Sequence, residues 1–77
     1  MLDPQEICRR LEDVFPDATV AADDATGAGD HFTVTVVSDR FTGKSLVERH
    51  QMVYGALSAL MPRIHALQLK TVTSSER

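Results

Sequence analysis

The strictest pattern in this chain is an alternation of polar and apolar residues, HFTVTVV, at 31–37. Side chains of a strand point alternately to its two faces, so the pattern predicts a strand that buries Phe32, Val34 and Val36. His31 opens this strand on the opposite face. A chain of 77 residues with one such half-buried strand must cover that face with helices.

The main helix follows a glycine turn. Ser45 and Glu48 have the spacing of a capping box, which predicts a helix start at Ser45. Pro62 should force the helix to end, and Gly55 weakens its middle by about 1 kcal/mol relative to alanine. The apolar stripe expected to face the core consists of Leu46, His50, Val53, Leu57 and Leu60, widened by Val47, Tyr54 and Met61.

The full element order is helix, strand, strand, helix, strand. Asp3 and Pro4 start a first helix, residues 18–22 form a weak strand that pairs with 31–37 as an antiparallel hairpin, and 64–72 form the last strand. We expect an α+β fold, αββαβ or αββααβ if the main helix is split, with a three-stranded mixed sheet and helices on one face. Residues 1–77 form one domain, and residues 73–77 are expected to fray.

Composition excludes several classes of function. The net charge of −3 argues against a strong non-specific grip on nucleic acid. A single cysteine, Cys8, allows neither an internal disulfide nor a zinc site with several cysteines. No apolar run could cross a bilayer, and the N-terminus lacks a signal-peptide pattern, so we predict a cytoplasmic protein. No serine–histidine–acid arrangement or phosphate loop indicates an enzyme.

Histidines are the candidate source of chemistry. His65, at the start of the last strand, can ligate a metal through one ring nitrogen while the other donates a hydrogen bond; it can equally be a partly buried histidine bonded to backbone. His31 is either a second ligand beside His65 or an exposed polar residue. His50 is expected to pack inward, with its ring hydrogen-bonded to a neighbouring loop.

Four basic residues form the second candidate site. Arg40, Lys44 and Arg49 surround the turn before the main helix, and Arg63 is expected near them. They predict either a patch for phosphates or an acidic partner, or an ordinary solvated surface.

The chain resembles the BolA-like family over nearly its whole length. Three blocks carry the resemblance: FTVTVVSDRFTGKS at 32–45, RHQMVY at 49–54 with Leu57, and His65-Ala66-Leu67. The resemblance implies a fold like the class II KH domain and a partnership with monothiol glutaredoxins in bridging, trafficking or sensing a 2Fe–2S cluster. It implies that His65 is the shared cluster ligand. Some members are described as DNA-binding regulators of stress response and cell shape.

The same resemblance implies a second ligand in the loop between the first two strands, where members carry cysteine or histidine. Here the loop 23–30 has neither, and Ala28 lies about where the cysteine is expected. Either His31 takes over, or the partner supplies the ligand, or cluster binding is weak. Histidine is an acceptable replacement, because it ligates iron in Rieske centres.

These features together predict a non-enzymatic adaptor. It would bind a monothiol glutaredoxin and contribute His65, with His31 as candidate second ligand, to a shared 2Fe–2S cluster that the isolated chain does not hold. The chain alone is expected to be a monomer or weak dimer without membrane contact. The alternative is a DNA-binding transcriptional regulator in which the phosphate contacts come from Arg40, Lys44, Arg49 and Arg63.

Overall fold

The computed structural model describes residues 2–77 and places two helices against one face of a three-stranded sheet. The helices are α1, Pro4–Val14, and α2, Leu46–Ala56. The strands are β1, Thr19–Asp24, β2, His31–Val37, and β3, Ala66–Val72. Short 3₁₀ turns at Asp39–Phe41 and Met61–Arg63 lie before and after α2.

Strand β2 lies in the middle of the sheet, antiparallel to β1 and parallel to β3. The predicted α+β fold with a mixed sheet is therefore confirmed, as is the β1–β2 hairpin. The bounds predicted for β2 match the structure. Strand β3 begins two residues later than predicted, so His65 lies just before the strand.

The core forms where both helices meet the sheet. Phe32, Val34 and Val36 are buried as the alternation predicted, and they pack with apolar residues of α1 and α2. Phe41, in the first 3₁₀ turn, is fully buried against Phe15, with ring centroids 5.6 Å apart. Burying a large aromatic side chain in this way stabilises a small domain substantially.

Helix α2 begins as predicted and ends earlier than predicted. Ser45 Oγ accepts from the Glu48 amide at 3.1 Å, and Glu48 Oε1 accepts from the Ser45 amide at 2.9 Å, which completes the capping box. The helix stops at Ala56 instead of continuing to Pro62. Pro62 has no amide hydrogen and its ring clashes with the preceding helical turn, so the chain forms turns and a 3₁₀ segment instead of a second α-helix.

The first turn of α2 does not face the core. Leu46 and Val47 are 63% and 66% exposed, whereas Val53 and Leu57 are fully buried, so the predicted stripe was wrong at its N-terminal end. The first turn of α2 contacts the end of β3 through Arg49, whose Nη1 donates to the Thr71 carbonyl at 3.4 Å. The first turn of α2 is therefore attached to the sheet by the polar contact of Arg49, and not by apolar contacts of Leu46 and Val47.

Residues 73–77, which the sequence predicted to fray, are held against the domain. Thr73 is buried, and the amide and hydroxyl of Ser74 donate to Asp39 Oδ1 at 3.0 and 2.8 Å. Glu76 forms an ion pair with Arg49. Polar tails fray when they lack partners, and here both partners come from segments distant in sequence. No helix among residues 2–77 is long and apolar enough to span a bilayer.

Candidate metal-binding site

His31 lies where the alternation placed it, on the sheet face that the helices leave open. It is the first residue of β2, and its side chain is 39% exposed. Phe32, the next residue, points into the core, so the strand itself directs the imidazole outward.

His65 lies at the same end of the sheet because β2 and β3 run parallel. The register pairs His31 with Ala66, which puts His65 one residue before that position. The His65 amide donates to the Asp30 carbonyl at 2.7 Å, and this bond fixes the entry into β3. The residue is exposed, so the partly buried alternative for His65 does not apply.

The two imidazoles stack. Their ring centroids are 5.0 Å apart and their planes differ by 20°. In the part of the chain that the structure describes, neither ring takes part in a hydrogen bond, so ring nitrogens remain available for a metal. The sequence left open whether these histidines share one site, and the structure brings them together.

The loop between β1 and β2 is organised by a single carboxylate. Asp24 accepts from the amides of Gly27 and Gly29, each at 2.9 Å, and both glycines have positive φ. The Ala25 amide donates to the His31 carbonyl at 2.8 Å, which attaches the loop to the start of β2. Ala25 and His31 line the same open cleft, so the loop borders the histidine pair without adding a ligand to it.

The pair alone does not complete a metal centre. No three His, Cys, Asp or Glu side chains among residues 2–77 are grouped to hold an ion. Cys8 lies on α1, with its Sγ 3.9 Å from the Val20 carbonyl, and burial raises the pKa of its thiol. Two imidazoles would fit one edge of an iron–sulfur centre such as a Rieske cluster, and the thiolates that such a cluster prefers would have to come from another molecule.

His50 lies apart from this site. It is half-buried on α2, as the sequence predicted, and packs edge-on against Tyr54 with ring centroids 6.4 Å apart. Its Nε2 is buried and has no hydrogen-bond partner within residues 2–77, so the expected bond to a neighbouring loop is not formed by this atom.

Most of the basic residues predicted to form a binding patch are paired within the chain. Arg40 donates to the Val14 carbonyl at 3.1 Å and lies 3.7 Å from Asp17, whereas Arg63 lies 3.5 Å from Glu6. Glu6 and Val14 lie at opposite ends of α1, a rise of roughly 12 Å apart. Arg40 and Arg63 therefore do not share one patch.

Arg49 has a structural role. Its Nε donates to the Lys44 carbonyl at 3.0 Å, and its two terminal nitrogens donate to Glu76 at 2.6 and 3.0 Å. The side chain is only 13% exposed and its guanidinium lies 6.0 Å from the centroid of the Phe41 ring. Lys44 is exposed and makes no ion pair within residues 2–77, which leaves it as the available cation of the predicted four.

Sequence reasoning missed Asp30 and Glu76. Glu76 is separated from Arg49 by most of α2 and all of β3, and nothing in the local sequence indicates their pairing. Asp30 precedes His31 directly, so an acid beside a candidate ligand was visible, but its bond to the His65 amide depends on the parallel register.

Comparisons with known proteins agree with this fold. The model of the BolA-like protein family matches residues 12–76. Protein BOLA2 of Arabidopsis thaliana is 47% identical over 51 residues, which cover 66% of this chain and 55% of the relative. The DNA-binding transcriptional regulator BolA of Escherichia coli is also 47% identical over 51 residues, covering 65% of this chain and 49% of the relative. The matched segment thus spans about half the length of these curated relatives.

Solved structures match over nearly the whole chain. A BolA protein homologue from Coxiella burnetii has a TM-score of 0.82 at 36% identity, covering 99% of this chain and 96% of that structure. A BolA-like protein from Babesia bovis has a TM-score of 0.87 at 31% identity, covering 99% and 90%. The BolA domain of SufE1 from Arabidopsis thaliana has a TM-score of 0.83 at 32% identity, covering 96% and 94%.

The Arg49–Glu76 pair predicts a pH-dependent part of the stability. Hydrogen bonds from the Arg49 guanidinium lower the pKa of Glu76 from 4.5 to about 2. As the pH falls, the unfolded chain therefore takes up this proton first, so the contribution is complete above pH 4.5 and is lost as the pH falls towards 2. The substitution Glu76→Gln should lower the denaturation midpoint at pH 7, modestly because the pair is partly exposed, and the difference should shrink in acid.

The matched control is Glu12→Gln, since Glu12 makes no ion pair among residues 2–77. Chemical denaturation of the three proteins at several pH values provides the comparison. Identical pH profiles for wild type and Glu76→Gln would show that the pair does not stabilise the fold.

Proposed function

Because this chain belongs to the BolA-like family, we propose that it is a non-enzymatic adaptor that completes an iron–sulfur site on a partner protein. The partner is a monothiol glutaredoxin, and the shared group is a 2Fe–2S cluster. The observation that supports this proposal is the stacked pair of His31 and His65, two accessible imidazoles at one end of the sheet.

The chain's own contribution is the placement of two nitrogen donors. The parallel register sets His31 beside His65, and the bond from the His65 amide to Asp30 holds the second histidine at the entry of β3. Both imidazoles already lie on the protein surface, so a partner can reach them without a rearrangement of the chain. Bound there, the cluster supplies a redox-active, transferable iron–sulfur group.

The partner must supply the remaining ligands. Iron–sulfur clusters prefer thiolates, and the thiol of Cys8 is half-buried on α1 with a raised pKa. A glutaredoxin cysteine and glutathione are the thiolates available to such a complex. The proposal therefore includes a cytoplasmic location, where both are kept reduced. The chain's expected state alone, a monomer or weak dimer, stays a prediction.

The test is to mix the chain with a cluster-loaded monothiol glutaredoxin and to record visible absorption and circular dichroism. Wild type should change the spectrum, and His65→Ala should abolish the change. His31→Ala should weaken complex formation by about tenfold or more. In metal sites, even the loss of a residue that only hydrogen-bonds to a ligand lowers metal affinity by about that factor.

His50→Asn serves as the control that removes a histidine away from the site. It should behave as wild type in the same titration. An unchanged spectrum on mixing wild type, or full complex formation by His65→Ala, would contradict the proposal.

DNA binding is the second candidate function, and the name of the Escherichia coli relative favours it. The internal ion pairs of Arg40, Arg49 and Arg63 count against it, because a cation already paired with a carboxylate is less available to a phosphate.

If DNA is bound mainly through Lys44, the slope of log affinity against log salt concentration should be small, about −1. Filter binding or fluorescence anisotropy with duplex DNA between low and physiological salt measures this slope. A slope near −4 that Lys44→Ala and Arg40→Ala each reduce by about one would instead favour the DNA-binding alternative.

A further inference from the structure

Asp30 touches both halves of the histidine pair. Its main-chain carbonyl accepts from the amides of His65 at 2.7 Å and Ala66 at 3.1 Å. It also directly precedes His31, which is the first residue of β2. One residue is therefore connected to both candidate ligands, to one through the chain and to the other through a hydrogen bond.

One oxygen of the Asp30 carboxylate lacks a hydrogen-bond donor within the described residues. Its Oδ1 is buried and has no hydrogen-bond partner among residues 2–77, whereas the side chain as a whole is 46% exposed. Its Oδ2 lies 4.0 Å from Nε2 of His31. Rotation of the carboxylate and a movement of about 1 Å would bring this imidazole within hydrogen-bond distance.

We propose that Asp30 is a positioning residue that accepts a hydrogen bond from the Nε2–H of His31 and thereby directs Nδ1 of that ring towards the metal centre. The role rests on the proposed function. A metal-bound histidine usually donates its other ring N–H to a carboxylate, carbonyl or water, and this bond fixes the tautomer and the orientation of the ring.

The first experiment needs neither metal nor partner. Nitrogen-15 correlation spectra of the imidazoles, with His31 assigned from the spectrum of His31→Ala, report which ring nitrogen carries the proton in the neutral ring. The proposal predicts a proton on Nε2 of His31. It also predicts that Asp30→Ala alters the His31 nitrogen shifts and that Asp23→Ala, an acidic control on β1, leaves them unchanged. A proton on Nδ1 of His31, or equal spectra for wild type and Asp30→Ala, would overturn the proposal.

The second experiment separates positioning from a merely structural role. Calorimetric titration with Ni²⁺ alone compares wild type, Asp30→Ala, His31→Ala and the double variant. Asp30→Ala should weaken Ni²⁺ binding by about tenfold in wild type and should have no further effect in His31→Ala, whereas Asp30→Asn, which keeps an acceptor oxygen, should recover part of the loss.

Equal losses from Asp30→Ala in both backgrounds would show that Asp30 acts only on the fold and would overturn the proposal. The spectra decide the question if Ni²⁺ binds too weakly for calorimetry. Neither experiment involves a glutaredoxin, so a failure of the adaptor function and a failure of this positioning role give different results.

Discussion

The parallel pairing of β2 with β3 is the constraint on which the candidate site depends. Residues 31 and 65 are far apart in sequence, and they become neighbours only because the register sets His31 opposite Ala66. Shifting that register by one residue would move the β3 side chains to the other face of the sheet and separate the two imidazoles. The core-facing residues of β3 resist such a shift, since Leu67 and Leu69 would lose their contacts with the core. The apolar core therefore determines the geometry of the polar site.

The charges of the chain serve the fold more than they serve a binding surface. Arg49 joins the start of α2, the end of β3 and the C-terminal segment, and Arg40 and Arg63 hold the two ends of α1. The basic residues that are close in the sequence therefore do not form one basic patch on the surface.

The sequence was sufficient where the physical cause is local. The alternation at 31–37 predicted β2, and the spacing of Ser45 and Glu48 predicted the start of α2, because both depend on neighbouring residues. It failed at the end of α2, and it did not indicate the contacts of residues 73–77, because these depend on segments distant in the chain. The positions of His31 and His65 were predicted separately from strand phase and from family resemblance. Their stacking, and the role of Asp30, could not be predicted without the strand register.

The most direct test of the central claim, that two imidazoles of this chain meet one iron–sulfur centre, is pulsed electron paramagnetic resonance of the reduced complex. This chain would carry ¹⁵N-labelled histidine and the glutaredoxin would be unlabelled. The account predicts couplings from two ligating ¹⁵N nuclei, one of which disappears with His31→Ala and the other with His65→Ala. The absence of any ¹⁵N coupling, or a spectrum that neither substitution changes, would contradict it.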